Sequence, residues 1–160
     1  MMKVTVSVHG RWHAFDLASE LHERGYLSQL LTTYPAVAVK KITGRSLPVR
    51  SIPLLEFRRR VYDRWKLGSR PDSMIASAFG RFARRMVVED TDIFVGWSSA
   101  SLEAIPIVQA RGGKVVLERG STHILHQLKV LEDGYEALDL SFDGTDPQVI
   151  DREIEEYDLA

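Results

Sequence analysis

Polar and apolar positions alternate from Lys3 to His9 in a stretch rich in Val and Thr, which predicts a strand at the very start of the chain. Gly10 interrupts it. From His13 to Arg24, Ala14, Leu17, Ala18 and Leu21 recur at helical spacing, and Gly25 supplies a left-handed stop just past the end. Tyr26 to Thr33 reads as a second strand, ended by the Tyr34-Pro35 turn, and Leu47 to Ile52 as a third, closed by Pro53. Val37 to Arg45, with Lys40, Lys41 and Arg45, is read as a loop over the top of the sheet.

The period changes in the middle of the chain. Leu54 to Lys66 places Leu54, Phe57, Val61, Tyr62 and Trp65 near one face and Arg58, Arg59, Arg60 and Arg64 mostly elsewhere, an amphipathic helix with a basic side. After a break from Gly68 to Pro71, Met74, Ile75, Ala78, Phe79, Phe82, Ala83 and Met86 mark another helix. Asp92 to Trp97 is a short apolar run of the kind a buried parallel strand shows. A helix through Ile105, Val108 and Gln109 follows, stopping at Gly112-Gly113; Pro106 is harmless only near its start. Lys114 to Leu117 is the next strand, with Ile124, Gln127, Leu128 and Leu131 marking the helix after it. Asp146-Pro147 opens a final helix to Tyr157, with Ile150 and Ile154 as its apolar side.

Strands and helices alternate from end to end without a repeat or linker, so the expected fold is α/β: a doubly wound parallel sheet covered on both faces, in a single domain. The length of 160 residues at 44% hydrophobic supports one well-buried core. Without cysteine there is no disulfide and no thiolate zinc site. The amino terminus lacks a secretory h-region, so a cytoplasmic location, peripheral to the membrane at most, is expected.

Charge sharpens this picture. The formal net charge is −1, yet residues 40 to 85 carry thirteen Lys or Arg against Glu56, Asp63 and Asp72, whereas residues 86 to 160 carry five basic against sixteen acidic groups. The basic helix at 54–66 therefore has three readings: a solvated helix packed on the sheet, a patch that leans on an anionic membrane surface or charged acceptor, and a nucleic-acid surface. The acidic remainder disfavours the last.

An open parallel sheet binds ligands beyond the carboxyl ends of its strands. Three strand ends bring polar groups to that rim: His9, Gly10, Arg11, Trp12 and His13; Gly96, Trp97, Ser98 and Ser99; and Glu118, Arg119, Gly120, Ser121, Thr122 and His123. The candidate binding residues are Gly10, Arg11, His13, Ser98, Ser99, Arg119, Gly120, Ser121 and His123. Glycines allow close backbone approach, helix starts offer free N–H groups, and Arg11 and Arg119 offer fork-shaped donors. Simpler roles stand beside these: Ser121 or Thr122 as a helix cap, Ser98, Ser99 and Ser101 as caps, and His9 as a structural histidine. Arg119 alone lacks an obvious structural reason. No G-x-G-x-x-G or P-loop motif occurs, His22, His123 and His126 lack zinc spacing, and Glu89 to Asp92 precede a strand at the wrong edge; no metal is expected.

Three blocks, VTVSVHGRWHAFDLASELHERGYLSQLLTTYP, DIFVGWSSASLEAI, and KVVLERGSTHILHQ followed by IDREIEEYDLA, resemble the amino-terminal half of a family 4 glycosyltransferase of the GT-B architecture, in a bacterial subgroup. The resemblance implies a Rossmann-like acceptor-binding domain spanning 1–160, with the carboxy-terminal donor domain and its E-x7-E motif absent and the chain inactive alone, whether shortened by truncation, proteolysis or an interrupted gene. It implies a retaining hexosyltransferase using a nucleotide-sugar co-substrate, a glycan or lipid-linked acceptor and no obligatory metal. The loop at Gly10 takes the place near donor phosphate and acceptor, while the family's strand-end histidine is replaced by Glu118-Arg119-Gly120, leaving Arg119, Ser121 and His123 its neighbourhood. A domain without its partner would self-associate to cover apolar surface. The alternative is a stand-alone flavodoxin-like binding or regulatory module without activity.

Overall fold

β1 (Val4–Val8) forms the centre of the sheet because its side chains can be buried on both faces: Val4, Val6 and Val8 point one way, Thr5 and Ser7 the other. The computed structural model describes residues 2–66 and 68–160, leaving Met1 and Leu67 of the expected domain outside the description. Around β1 the chain lays α1 (Ala14–Glu23), β2 (Leu27–Thr32), α2 (Ala36–Thr43), β3 (Val49–Ser51), α3 (Pro53–Trp65), α4 (Asp72–Met86), β4 (Ile93–Trp97), α5 (Ile105–Ala110), β5 (Lys114–Glu118), α6 (Ile124–Ala137) and α7 (Pro147–Leu159). The five strands are all parallel, in the order β3-β2-β1-β4-β5. The fold is thus α/β and Rossmann-like; flavodoxin-like sheets run 2-1-3-4-5 instead.

Two apolar layers cover the sheet. On one face Val6, Val8, Phe15, Ala18, Leu30, Val39 and Trp97 pack together beneath α1 and α2. On the other, Leu31, Ile75, Phe79, Ala83, Phe94 and Val108 join α4 and α5 to the strands, with Leu55 of α3 at the margin. Adjacent Leu30 and Leu31 go to opposite layers, as the period of two requires. The reversal of strand order, where β1 is followed outward by β2 on one side and β4 on the other, leaves a crevice above their carboxyl ends.

Three expectations need correction. Residues 37–45 are mostly the helix α2 rather than a loop: Pro35 precedes it, Val39 is fully buried, and Gly44 closes it in the left-handed conformation at φ 71°. α3 is turned about its axis, burying Leu55 and Glu56 while Leu54, Phe57 and Trp65 face solvent. Burial of Glu56 is tolerated because Arg59 and Arg60 both donate to it; burial pushes its carboxyl up, but the two guanidiniums outweigh that and hold it below the usual range. α7 presents Glu153 and Glu156 inward, with Ile150 and Ile154 only partly buried. Pro106, at the second position of α5, costs that helix no hydrogen bond.

Candidate functional site

The crevice at the strand-order reversal contains a cavity of about 360 Å³ lined by His9, Trp12, Trp97, Ser98, Ser99, Arg119, Gly120, Ser121 and Gln127. Parallel register brings its walls together. Ser7 lies opposite Gly96 and Trp97 opposite Glu118, and the Ser98 amide donates to the Glu118 carbonyl at 2.9 Å, so the turns after β1, β4 and β5 share one rim.

Each wall has a local cause. After β1, Gly10 at φ 113° and Trp12 at φ 40° turn the chain sharply, and the Thr32 hydroxyl ties the turn down by donating to the Gly10 carbonyl at 2.8 Å. After β4, Gly96 leaves room for Ser101, whose hydroxyl donates to the Trp97 carbonyl at 2.8 Å. Ser99 is in the left-handed region at φ 68°. That conformation aims the amides of Ser99, Ser101 and Leu102 at one carboxylate, Glu156 of α7, at 2.5, 2.6 and 2.8 Å. Glu156 is completely buried; burial pushes its carboxyl up to about 7, against the three amides and Arg152, which pull it down.

After β5, Arg119 reaches back to α7 and donates to Glu153, and it also donates to Ser121 and, at 2.8 Å, to Gln127. These partners supply the structural reason for a strand-end arginine that the sequence lacks. Three guanidinium N–H groups are engaged and two remain, one on each terminal nitrogen. Glu153 cancels the charge, so the cavity wall offers directional donors rather than a strong anion site.

The rim gathers five of the nine candidate residues around the cavity itself: Ser98, Ser99, Arg119, Gly120 and Ser121. Gly10, Arg11, His13 and His123 stand outside its lining. His13 packs edge-on against Trp97 with ring centroids 5.1 Å apart and meets the Glu118 carboxylate at 3.2 Å, bracing the wall from behind. His123 caps α6 by accepting the Leu125 amide at Nδ1, the role expected of Ser121 or Thr122, and its ring lies 4.7 Å from Tyr157. Arg11 is exposed.

Residues absent from the expected set complete the cavity: His9, Trp12, Trp97 and Gln127 line it, and Glu153 and Glu156 hold it from α7. The two tryptophans sit inside the strand-end segments already singled out. The glutamates gave no signal, because acids on a helix ordinarily mark a solvated face.

Polar atoms without partners point to the same rim. Among the described residues, the buried side-chain atoms lacking a hydrogen bond are Ser7 Oγ, His9 Nδ1, Thr33 Oγ1 and Trp97 Nε1, all in or just beyond the carboxyl-terminal halves of β1, β2 and β4. Each such group costs about 1–3 kcal/mol. Burial, followed by the positive Arg59, holds the His9 ring below the ordinary imidazole range.

No three His, Asp or Glu side chains among the described residues gather in a metal-holding arrangement, and no described helix is long and apolar enough to cross a membrane. No family model matches the chain, and neither a curated protein nor a solved structure matches it.

Proposed function

We propose that this domain binds the acceptor sugar of a retaining GT-B glycosyltransferase, one that moves a hexose from a nucleotide-sugar to a glycan or lipid-linked acceptor. The observation that carries the reading is the cavity at the strand-order reversal, where the rings of Trp12 and Trp97 stand among the hydroxyls of Ser98, Ser99 and Ser121, the Gln127 amide and Arg119. Aromatic faces with convergent neutral donors and acceptors suit a sugar, whose C–H faces are apolar and whose hydroxyls need partners on both counts. Charge supports acceptor over donor: Glu153 neutralises Arg119, and Glu156 already occupies the amide cluster where a diphosphate oxygen would otherwise sit.

In this reading Arg119 and Gln127 orient the acceptor hydroxyl, the exposed Trp12 indole packs on the sugar ring over a wall backed by the buried Trp97, and the catalytic gain from this half is positioning. A stand-alone binding module is the second reading. Neither reading requires the domain to turn over alone.

Titration of the full chain with methyl hexosides, followed by saturation-transfer NMR, tests the sugar assignment. Binding in the millimolar range that Trp12→Ala and Gln127→Ala both abolish is the expected outcome; no transfer at about 10 mM for any hexoside tried sinks it. Separation of the two readings needs a donor: transfer of hexose to the bound glycoside after adding a nucleotide-sugar-binding domain supports the transferase, and binding that never supports transfer supports the module.

A further inference from the structure

The outward face of α3 carries Leu54, Phe57, Val61 and Trp65 at i, i+3, i+7 and i+11, a continuous stripe along the helix. Leu54, Phe57 and Trp65 are 72%, 66% and 62% exposed, which is far from the fate of large apolar groups that have found a core. Arg58 borders the stripe on one side and Arg64 on the other, by their positions on the helical wheel. Neither has an acidic partner among the described residues, since the acids of this helix are spent elsewhere: Glu56 is buried against Arg59 and Arg60, and Asp63 is bound by Arg59. Beside the stripe lies a recess of about 260 Å³ with Arg58, Tyr62 and Ser69 on its wall.

We propose that this face is a docking surface for an anionic lipid bilayer, with Phe57 and Trp65 entering the interface and Arg58 and Arg64 meeting headgroup phosphates. An aromatic stripe between cations is the composition of an in-plane interfacial helix. Charge selects lipid over a second copy of the chain, because two such faces laid together would oppose arginine to arginine. Residues 40–85, which contain this helix, hold the basic excess of the chain, which suits an anionic surface. The inference does not depend on what the crevice binds.

Co-sedimentation of the full chain with phosphatidylcholine vesicles, with and without about 30% phosphatidylglycerol, provides the test. Pelleting is expected only with the anionic vesicles and is lost in high salt. Arg58→Gln with Arg64→Gln should weaken partitioning roughly twenty-fivefold, about fivefold per cation. Phe57→Ser with Trp65→Ser should weaken it at least as much without changing the circular dichroism spectrum or melting temperature, because both side chains are in solvent. Equal pelleting on neutral and anionic vesicles, or unchanged pelleting in the arginine pair, overturns the proposal. So does self-association in sedimentation velocity that Phe57→Ser with Trp65→Ser abolishes, if no vesicle pellets the parent.

Discussion

The Arg119 guanidinium at the end of β5 donates to the Glu153 carboxylate of α7, 34 residues further along the chain. Their side chains are only 16% and 5% exposed, so the pair is largely withdrawn from water. It joins the last strand to the last helix at the cavity wall.

Breaking that pair from the acidic side is predicted to be expensive. Glu153→Ala strands Arg119 and also removes the acceptor for the Tyr157 hydroxyl, so a loss of about 3 kcal/mol is expected in urea denaturation. Glu153→Gln, which keeps an acceptor oxygen, should lose about half as much. An alanine variant within about 0.5 kcal/mol of the parent would show that the pair does not hold α7 in place.

Gly96 has no tolerance for a methyl group. A Cβ built there meets Phe94 Cε1 at 2.6 Å and Ser101 Cβ at 2.9 Å, inside a packed layer between β4 and its following loop. Gly96→Ala is expected to cost about 2 kcal/mol and lower the melting temperature, with an unchanged midpoint refuting the packing described.

Ser99 makes the reverse case. Its φ of 68° is strained for any residue with a Cβ, and its amide, not its side chain, binds Glu156. Ser99→Gly should therefore gain about 1 kcal/mol, and Ser99→Val should lose at least that, since a β-branched residue fits the left-handed region worst. Opposite signs in thermal melts are the mark of the geometry; equal destabilisation by both would count against it.

A buried carboxyl and a half-buried imidazole give slopes of opposite sign with pH. Glu156, pushed up to about 7 by burial, contributes stability that is fully present below pH 4.5 and lost as pH rises through 7, roughly 3 kcal/mol in all. His9 is held below 6.5 by burial, so its contribution is present above 6.5 and fades as pH falls toward its folded-state value. Stability measured from pH 4 to 8 should thus flatten on the alkaline side in Glu156→Gln and on the acid side in His9→Gln. Parallel curves for parent and Glu156→Gln would remove the carboxylate from this account.

The strand ends were readable because each polar cluster follows a short apolar run, and His9, Trp97 and Glu118 do share one rim. Legibility failed where two patterns compete. Ala36-Val37-Ala38-Val39 alternates between small and β-branched residues and suggests no helix by period, yet one buried valine and a Gly44 stop suffice to make α2. In α3 the apolar stripe was real but its direction was not recoverable: period shows that a face exists, and only the tertiary partners decide which face is inward. Glu56, Glu153 and Glu156 were invisible for a related reason. A buried acid looks the same in sequence as a solvated one until Arg59, Arg119 or a set of main-chain amides is seen beside it.

Glu156 also imposes an order on biosynthesis. Every strand leaves the ribosome before the residue that sets the loop after β4, and its nearest amide partner is separated from it by 54 positions. A nascent chain halted at Leu138 could complete its hydrogen-bonded sheet while Ser99, Ser101 and Leu102 still waited for their acceptor. Of the described elements, the loop after β4 is the one whose amides wait for the docking of α7.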